Sequence, residues 1–190
     1  MLNGNIIFFI PLNFFLIVFI NLNYDKTMKI CIVGPSGAGK STISNKLAKI
    51  LEIEQYQFDA IYWDLTGNEF VKNSEEFIAE AIEDILKKEE WIVEGAYDKR
   101  MSPFFVDCSL ILKMEVPFWL RSIRLIRRLF LSRVKRKKPK EKLSNTIELI
   151  RFSYIFDKKL NLFLEQNMFS KKVVKFRNLS SSLDVIKDRQ

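Results

Sequence analysis

The nine residues Gly34, Pro35, Ser36, Gly37, Ala38, Gly39, Lys40, Ser41 and Thr42 constrain this chain more than any other stretch. They fit a glycine, four free positions and then Gly-Lys-Ser/Thr. Before them stands KICIV (29–33), apolar and continuous rather than alternating, as expected of a strand covered on both faces. After them Ile43, Leu47, Ile50 and Leu51 recur at a helical period. A strand, a glycine loop and a helix in that order make an anion cradle. Small residues let the backbone curl until successive N–H groups point inward, and the helix N-terminus adds its positive end. In such a loop Lys40 reaches the β- and γ-phosphates of a nucleoside triphosphate, and the Ser41 hydroxyl ligates Mg²⁺. Thr42 is expected near the α-phosphate. The expected cofactors are therefore ATP or GTP with Mg²⁺.

Four further strand candidates follow, at 55–58, 91–93, 109–114 and 172–176, with helical stretches near 74–88, 117–135, 142–166 and 181–188. Alternating units of this length predict an α/β fold. Its core is a five-stranded parallel sheet with helices on both faces, a three-layer P-loop NTPase architecture. Ligands of such sheets bind at the carboxyl ends of the strands, and that rule selects three acids. Asp59 ends the second strand and is a candidate to accept a hydrogen bond from a substrate hydroxyl, as base or orienting group, or simply to cap a turn. Glu94 ends the third strand and is a candidate to hold a water of the Mg²⁺ shell. Glu115 ends the fourth and is its rival. Tyr56, Phe58, Tyr62 and Trp63 surround Asp59 as ring-stacking or core residues.

Composition narrows the chemistry. The chain has no histidine, so catalysis must rest on carboxylates, Lys, Arg, hydroxyls or a metal ion. Cys31 and Cys108 sit in apolar runs without metal spacing and are expected to be buried thiols in a cytoplasmic protein. The net charge of +8 is concentrated. Between Arg121 and Lys142 stand eleven Lys/Arg and one acid, Glu141, so the remainder of the chain is slightly acidic.

Residues 6–22 form an apolar run of 17 interrupted by Pro11, Asn13 and Asn21. That is the short end of a membrane span. It lacks the positive flank and small-residue site of a secretory signal. The readings are a signal anchor, a buried or frayed extension, or translation from an upstream start with Met28 as the true first residue. The last is favoured, giving an extension over 1–27 and a P-loop NTPase domain over 28–190. Membrane attachment is expected only if 1–27 is real.

The GPSGAGKST loop, the block Asp59–Tyr62–Trp63, WIVEGAY with Gly95 and Tyr97, KMEVP and the arginine-rich helix resemble, in that order, the "DNA topology modulation protein" (FlaR-like) family. That is a group of P-loop proteins related to adenylate kinase and other small-molecule kinases. The resemblance spans Met28 to about Ile186. It implies a kinase-like fold with an arginine-rich lid helix, ATP or GTP with Mg²⁺, and an acceptor pocket built on Asp59 and the loop after Glu94. Relatives carry Asp where Glu94 stands and Asn where Ala96 stands. The first change keeps the carboxylate, and the second puts substrate identity in doubt. The resemblance also implies that Arg124 and Arg128 close over the transferring phosphoryl group.

Along PFWLRSIRLIRRLFLSRVKRKKPKEK, Trp119, Ile123, Ile126 and Phe130 recur at helical spacing and are expected to face the core, with Arg121, Arg124 and Arg128 on another face. The tail Arg133–Lys142 suits nucleic-acid phosphates, anionic lipid, or simple solvation. Three functions stay open on sequence. They are an ATP-dependent kinase-like phosphotransferase acting on a small acceptor, a nucleotide-dependent nucleic-acid-binding regulator, and a membrane-anchored NTPase. Arg177 and Asn178, beyond the last strand, are weak candidates for the nucleobase.

Overall fold

The computed structural model describes residues 28–188 except 65, 68–69, 97–98, 135–142 and 167–168. The expectations for residues 1–27, for Tyr97 and for most of Arg133–Lys142 therefore lie outside the described residues. In chain order the elements are β1 (Lys29–Val33), α1 (Lys40–Leu51), β2 (Gln55–Gln57), α2 (Phe58–Tyr62), β3 (Trp63–Asp64) and β4 (Val71–Lys72). There follow α3 (Glu75–Leu86), β5 (Trp91–Gly95), α4 (Ser102–Asp107), β6 (Leu110–Met114), α5 (Phe118–Val134), α6 (Leu143–Gln166), β7 (Val173–Phe176) and α7 (Leu179–Lys187).

Five strands form one parallel sheet in the order β2-β5-β1-β6-β7, as the alternating pattern predicts. Because side chains alternate across a strand, β1 feeds two cores. Ile30 and Ile32 pack with Ile43, Leu47 and Leu51 of α1 and Ile186 of α7. Cys31 and Val33 point the other way, toward Ile78 and Ile85 of α3, Phe104 and Phe105 of α4, and Phe156, Leu160 and Leu164 of α6. Cys31 and Cys108 are buried free thiols, as expected. Helix starts follow local chemistry. The Ser74 hydroxyl accepts the Phe77 N–H at the start of α3, and Asn178 and Ser181 form a reciprocal capping box on α7.

Three pieces depart from the expected elements. The second strand stops at Gln57, and Phe58 already begins α2. A two-residue hairpin, β3 with β4, follows it, and α4 packs Phe104 and Phe105 into the core. Each is too short for periodicity to register. The α5 expectation is also corrected. Trp119, Ile123, Ile126 and Phe130 do recur on one face, but that face is exposed, and Leu125 and Leu129 are the buried apolar residues of this helix. A helical period identifies a face; it does not say which neighbour covers it.

Candidate active site

The loop from Gly34 to Gly39 joins the carboxyl end of β1 to α1, and its glycines answer a geometric demand. Gly37 has φ of 78° and Gly39 a φ of 101°, both left-handed. A Cβ on Gly37 would also lie 2.8 Å from the Arg121 carbonyl oxygen and 3.0 Å from Leu125 Cγ. The loop therefore presses directly onto α5. No side chain caps the start of α1, whose N-cap is Gly39, so the first N–H groups of the helix face the cradle. Lys40 donates from Nζ to the Pro35 carbonyl at 3.2 Å, which folds the ammonium back over the loop.

Register explains the next contact. Glu94 pairs with Ile32 across β5 and β1 and so faces the α1 side of the sheet. Ser41, in the first turn of α1, donates from Oγ to Glu94 Oε1 at 2.6 Å. Glu94 is only 5% exposed. Burial raises its pKa, against the opposing pull of the Ser41 hydrogen bond and the Lys40 charge. Lys40 is displaced the other way. Burial lowers its pKa, Glu94 and Asp59 draw it back up, and Arg128 and Arg121 push it further down. Four groups singled out on sequence, Lys40, Asp59, Glu94 and Arg128, thus share one electrostatic neighbourhood.

A hydroxyl and a carboxylate within hydrogen-bond distance form an all-oxygen donor pair, the chemistry Mg²⁺ takes. Among the described residues no group of three or more His, Cys, Asp or Glu side chains converges as a metal cage. A Mg²⁺ site here would be completed by phosphates and water, as that ion prefers. A pH signature follows from Glu94. Its raised folded-state pKa means that ionising it costs stability as pH rises through that value. Glu94→Gln is expected to match the wild type in acid and to be the more stable of the two at neutral pH. Urea denaturation across pH without nucleotide measures this. A stability difference that is largest in acid would contradict it.

Asp59 lies in the first turn of α2, one residue beyond the strand end assigned on sequence and two beyond the observed one, and is exposed. Gly95 explains how α2 comes so close to β5, because a Cβ there would meet Phe58 Cβ and Met101 Sδ, both at 3.0 Å. The rings near Asp59 have protein partners. Phe58 is buried against Phe104. Tyr62 meets Trp63 edge-on at 4.7 Å and carries the Arg100 guanidinium over its face at 4.3 Å. Tyr56 packs at the core margin beneath Lys88.

On α5 the three arginines part company. Arg124 donates from Nη1 to the carbonyls of Ala38 at 2.6 Å and Gly37 at 3.4 Å, tying the helix to the phosphate loop. Arg128 is exposed and acts on Lys40 through its charge. Arg121 is buried and turns away to α6, donating to the Ser153 carbonyl and hydroxyl and to Asp157 at 3.2 Å.

Glu115 is not near Ser41. It lies with Lys113 and Lys175, at 3.5 and 3.6 Å. Lys113 was missed on sequence although it is 2% exposed on β6. It donates to Asn161 and faces Asp157 at 3.9 Å. The signal was present in LILKM, since a lysine inside a strand covered on both faces must find partners. Around this cluster a cavity of about 330 Å³ opens between Lys113, Glu115, Asp157, Asn161 and Arg177. Arg177 therefore does line a pocket. Asn178 accepts the Ser181 N–H and serves as a helix cap.

No protein-family model matches the chain. A cytidylate kinase from Caldanaerobacter subterraneus subsp. tengcongensis is 36% identical over 69 residues, which make up 36% of this chain and 31% of that protein. The chain thus matches about a third of that relative's length. Three solved structures share the fold. A deoxyadenosine kinase from M. mycoides with bound dATP has a TM-score of 0.52 at 16% identity, over 85% of this chain and 98% of that one. A protein from Eubacterium ventriosum described as uncharacterized has a TM-score of 0.51 at 14% identity, over 86% and 98%. Shikimate kinase from Bacteroides thetaiotaomicron has a TM-score of 0.50 at 15% identity, over 85% and 96%. The chain has the α/β fold of P-loop kinases.

Proposed function

We propose that this chain is a phosphotransferase that moves the γ-phosphoryl group of ATP, with Mg²⁺, to a small acceptor. The observation that carries the reading is the convergence on Lys40. A phosphate-shaped loop, a carboxylate bonded to the Ser41 hydroxyl, the Asp59 carboxylate and the Arg128 guanidinium all act on one ammonium. Phosphates are assigned to residues 34–42, Mg²⁺ to Ser41 with Glu94 behind it, and closure over the phosphoryl group to Arg124 and Arg128. Ser41 and Glu94 would hold Mg²⁺, which would supply positive charge against the phosphoryl group being transferred.

Sheet order supports the division of ligands. With β1 in the middle, Asp59 stands on the β2–β5 flank and the Arg177 cavity on the β6–β7 flank. We assign the acceptor to the first and the nucleoside of ATP to the second. The FlaR-like resemblance supports the same acceptor side through Asp59, Tyr62, Trp63 and Gly95. Residues 28–190 form the catalytic domain in this reading. Nucleic-acid binding through Arg133–Lys142 rests on residues that are mostly outside the described ones, and no described contact favours it.

The test is a coupled ATP-consumption screen across nucleoside monophosphates and other small hydroxylated acceptors, run on the wild type and on Asp59→Asn. One acceptor is expected far above the background of water hydrolysis. Asp59→Asn is expected to lower turnover of that acceptor by about 10²- to 10⁴-fold, the range of a positioned acid–base group, while slow hydrolysis persists. Equal turnover of every acceptor, or an Asp59→Asn variant as fast as the wild type, would defeat the assignment.

A further inference from the structure

Helix α5 presents three faces with three chemistries. Leu125, Leu129 and Arg121 face the interior. Arg124 and Arg128 face the phosphate loop and Lys40. The third face carries Trp119, Ile123, Ile126, Phe130 and Val134, with Trp119 63% exposed and Phe130 66%. Five large apolar side chains at steps of three and four form a stripe more than four turns long. On another face near the start of the helix, Phe118 meets the exposed Tyr154 of α6 edge-on at 5.4 Å. Scattered exposed apolar residues need no explanation, but a contiguous stripe marks an interaction surface.

The charge of the helix selects the occupant. Phe118–Val134 contains five arginines and no acid, and Arg127 is exposed on the border of the stripe. By sequence the eight residues after it add six Lys/Arg against Glu141 alone. A second copy laid on the stripe would bring two such helices together, arginine against arginine, which argues against self-association. A surface that is apolar at depth and negative at its boundary matches both properties at once. A basic helix with Trp and Phe on its apolar face is the kind that lies in the plane of a membrane interface. No helix among the described residues is long and apolar enough to cross a membrane, so the contact would be peripheral.

We propose that the outer face of α5 docks this protein on anionic lipid bilayers, with Trp119, Ile123 and Phe130 entering the headgroup boundary and Arg127 meeting lipid phosphates. The inner face of the same helix grips the phosphate loop through Arg124. Docking therefore leaves the nucleotide side of the helix turned to the protein, and the lipid contact is separate from the residues assigned to phosphoryl transfer. The proposal does not depend on the acceptor or on the kinase reading.

The experiment is vesicle co-sedimentation of the full chain, with phosphatidylcholine vesicles with and without phosphatidylserine. The wild type is expected to bind the phosphatidylserine vesicles, to bind phosphatidylcholine alone much less, and to be released by salt. Trp119→Ser/Ile123→Ser/Phe130→Ser is expected to lower partitioning by at least ~10-fold, and Arg127→Glu to lower it on anionic vesicles only. Circular dichroism checks that the triple variant is folded, and Arg127→Glu, a single exposed change, keeps the test open if it is not. Three results would overturn the proposal. Unchanged binding by both variants would assign attachment to the apolar run 6–22 or to the basic tail. Loss of a wild-type dimer in the triple variant, without a change on vesicles, would make the face an interface between copies. Wild-type binding to duplex DNA but not to vesicles would make the basic surface a nucleic-acid one.

Discussion

Lys40→Ala is expected to lower nucleotide turnover by at least about 10²- to 10³-fold, the cost of removing one preorganised donor from a developing oxyanion. The variant is expected to stay at least as stable as the wild type. The two outcomes have one origin. Lys40 donates to the Pro35 carbonyl at 3.2 Å, and burial lowers its pKa, so the charged ammonium sits where ionisation is unfavourable. Phosphate oxygens relieve that cost, and the relief grows as negative charge builds toward the transition state. Alanine removes both the cost in the free protein and the gain in the reaction. A coupled ATP-consumption assay and a urea titration of the same sample separate them. Wild-type consumption would remove Lys40 from the phosphate site. Lost turnover with an unfolded protein would instead make it a structural residue.

How much of this could be read from the chain follows from how far each signal reaches. The loop at 34–42 carries its own geometry, because only glycine accepts the backbone angles of Gly37 and Gly39. The inner strands β1, β5 and β6 were legible because burial on both faces writes itself into continuous apolar runs, whereas the edge strands β2 and β7 are only partly buried. The Glu94–Ser41 contact was half legible. Sequence placed Glu94 at a strand end, and parallel pairing of β1 with β5 decided that it, and not Glu115, meets α1. The outward stripe on α5 was legible as a stripe but assigned to the wrong environment. Trp119 and Phe130 were expected to face the core and Arg121 to lie on another face, yet Arg121 is buried on Ser153 and Asp157 while Trp119 and Phe130 are exposed. Pairing partners 32 and 36 residues away are not written in local periodicity. Lys113 has the same explanation, since its partner Asn161 lies 48 residues on.

The second large effect concerns stability, and it falls on Asp157. Two nearly buried cations lean on this carboxylate from different elements. Arg121 of α5 donates to it at 3.2 Å, and Lys113 of β6 stands 3.9 Å from it. Asp157→Leu leaves Arg121 with the two Ser153 oxygens and the Phe118 ring, and Lys113 with Asn161 and Glu115. Removing one partner of a fully buried pair costs about 3–5 kcal/mol; with Asp157 34% exposed and both cations keeping other partners, the expected loss is about 1–3 kcal/mol. The reverse substitution should be milder. The Asp157 side chain is 34% exposed, so after Arg121→Met it keeps water and Lys113 as partners. The double variant Arg121→Met/Asp157→Leu should recover part of the Asp157→Leu loss, since a stranded guanidinium is then replaced by an apolar side chain. Urea denaturation of the four proteins closes the cycle. Equal losses in the two single variants, or strict additivity, would mean that the pair is hydrated and contributes little. The asymmetry also reaches the site. The Arg121 carbonyl abuts Gly37 of the phosphate loop, so freeing the start of α5 from α6 should loosen the cradle. Asp157→Leu is therefore expected to raise the KM for ATP at temperatures where the protein is still folded, both through the loosened cradle and through the Arg177 cavity that Asp157 itself lines.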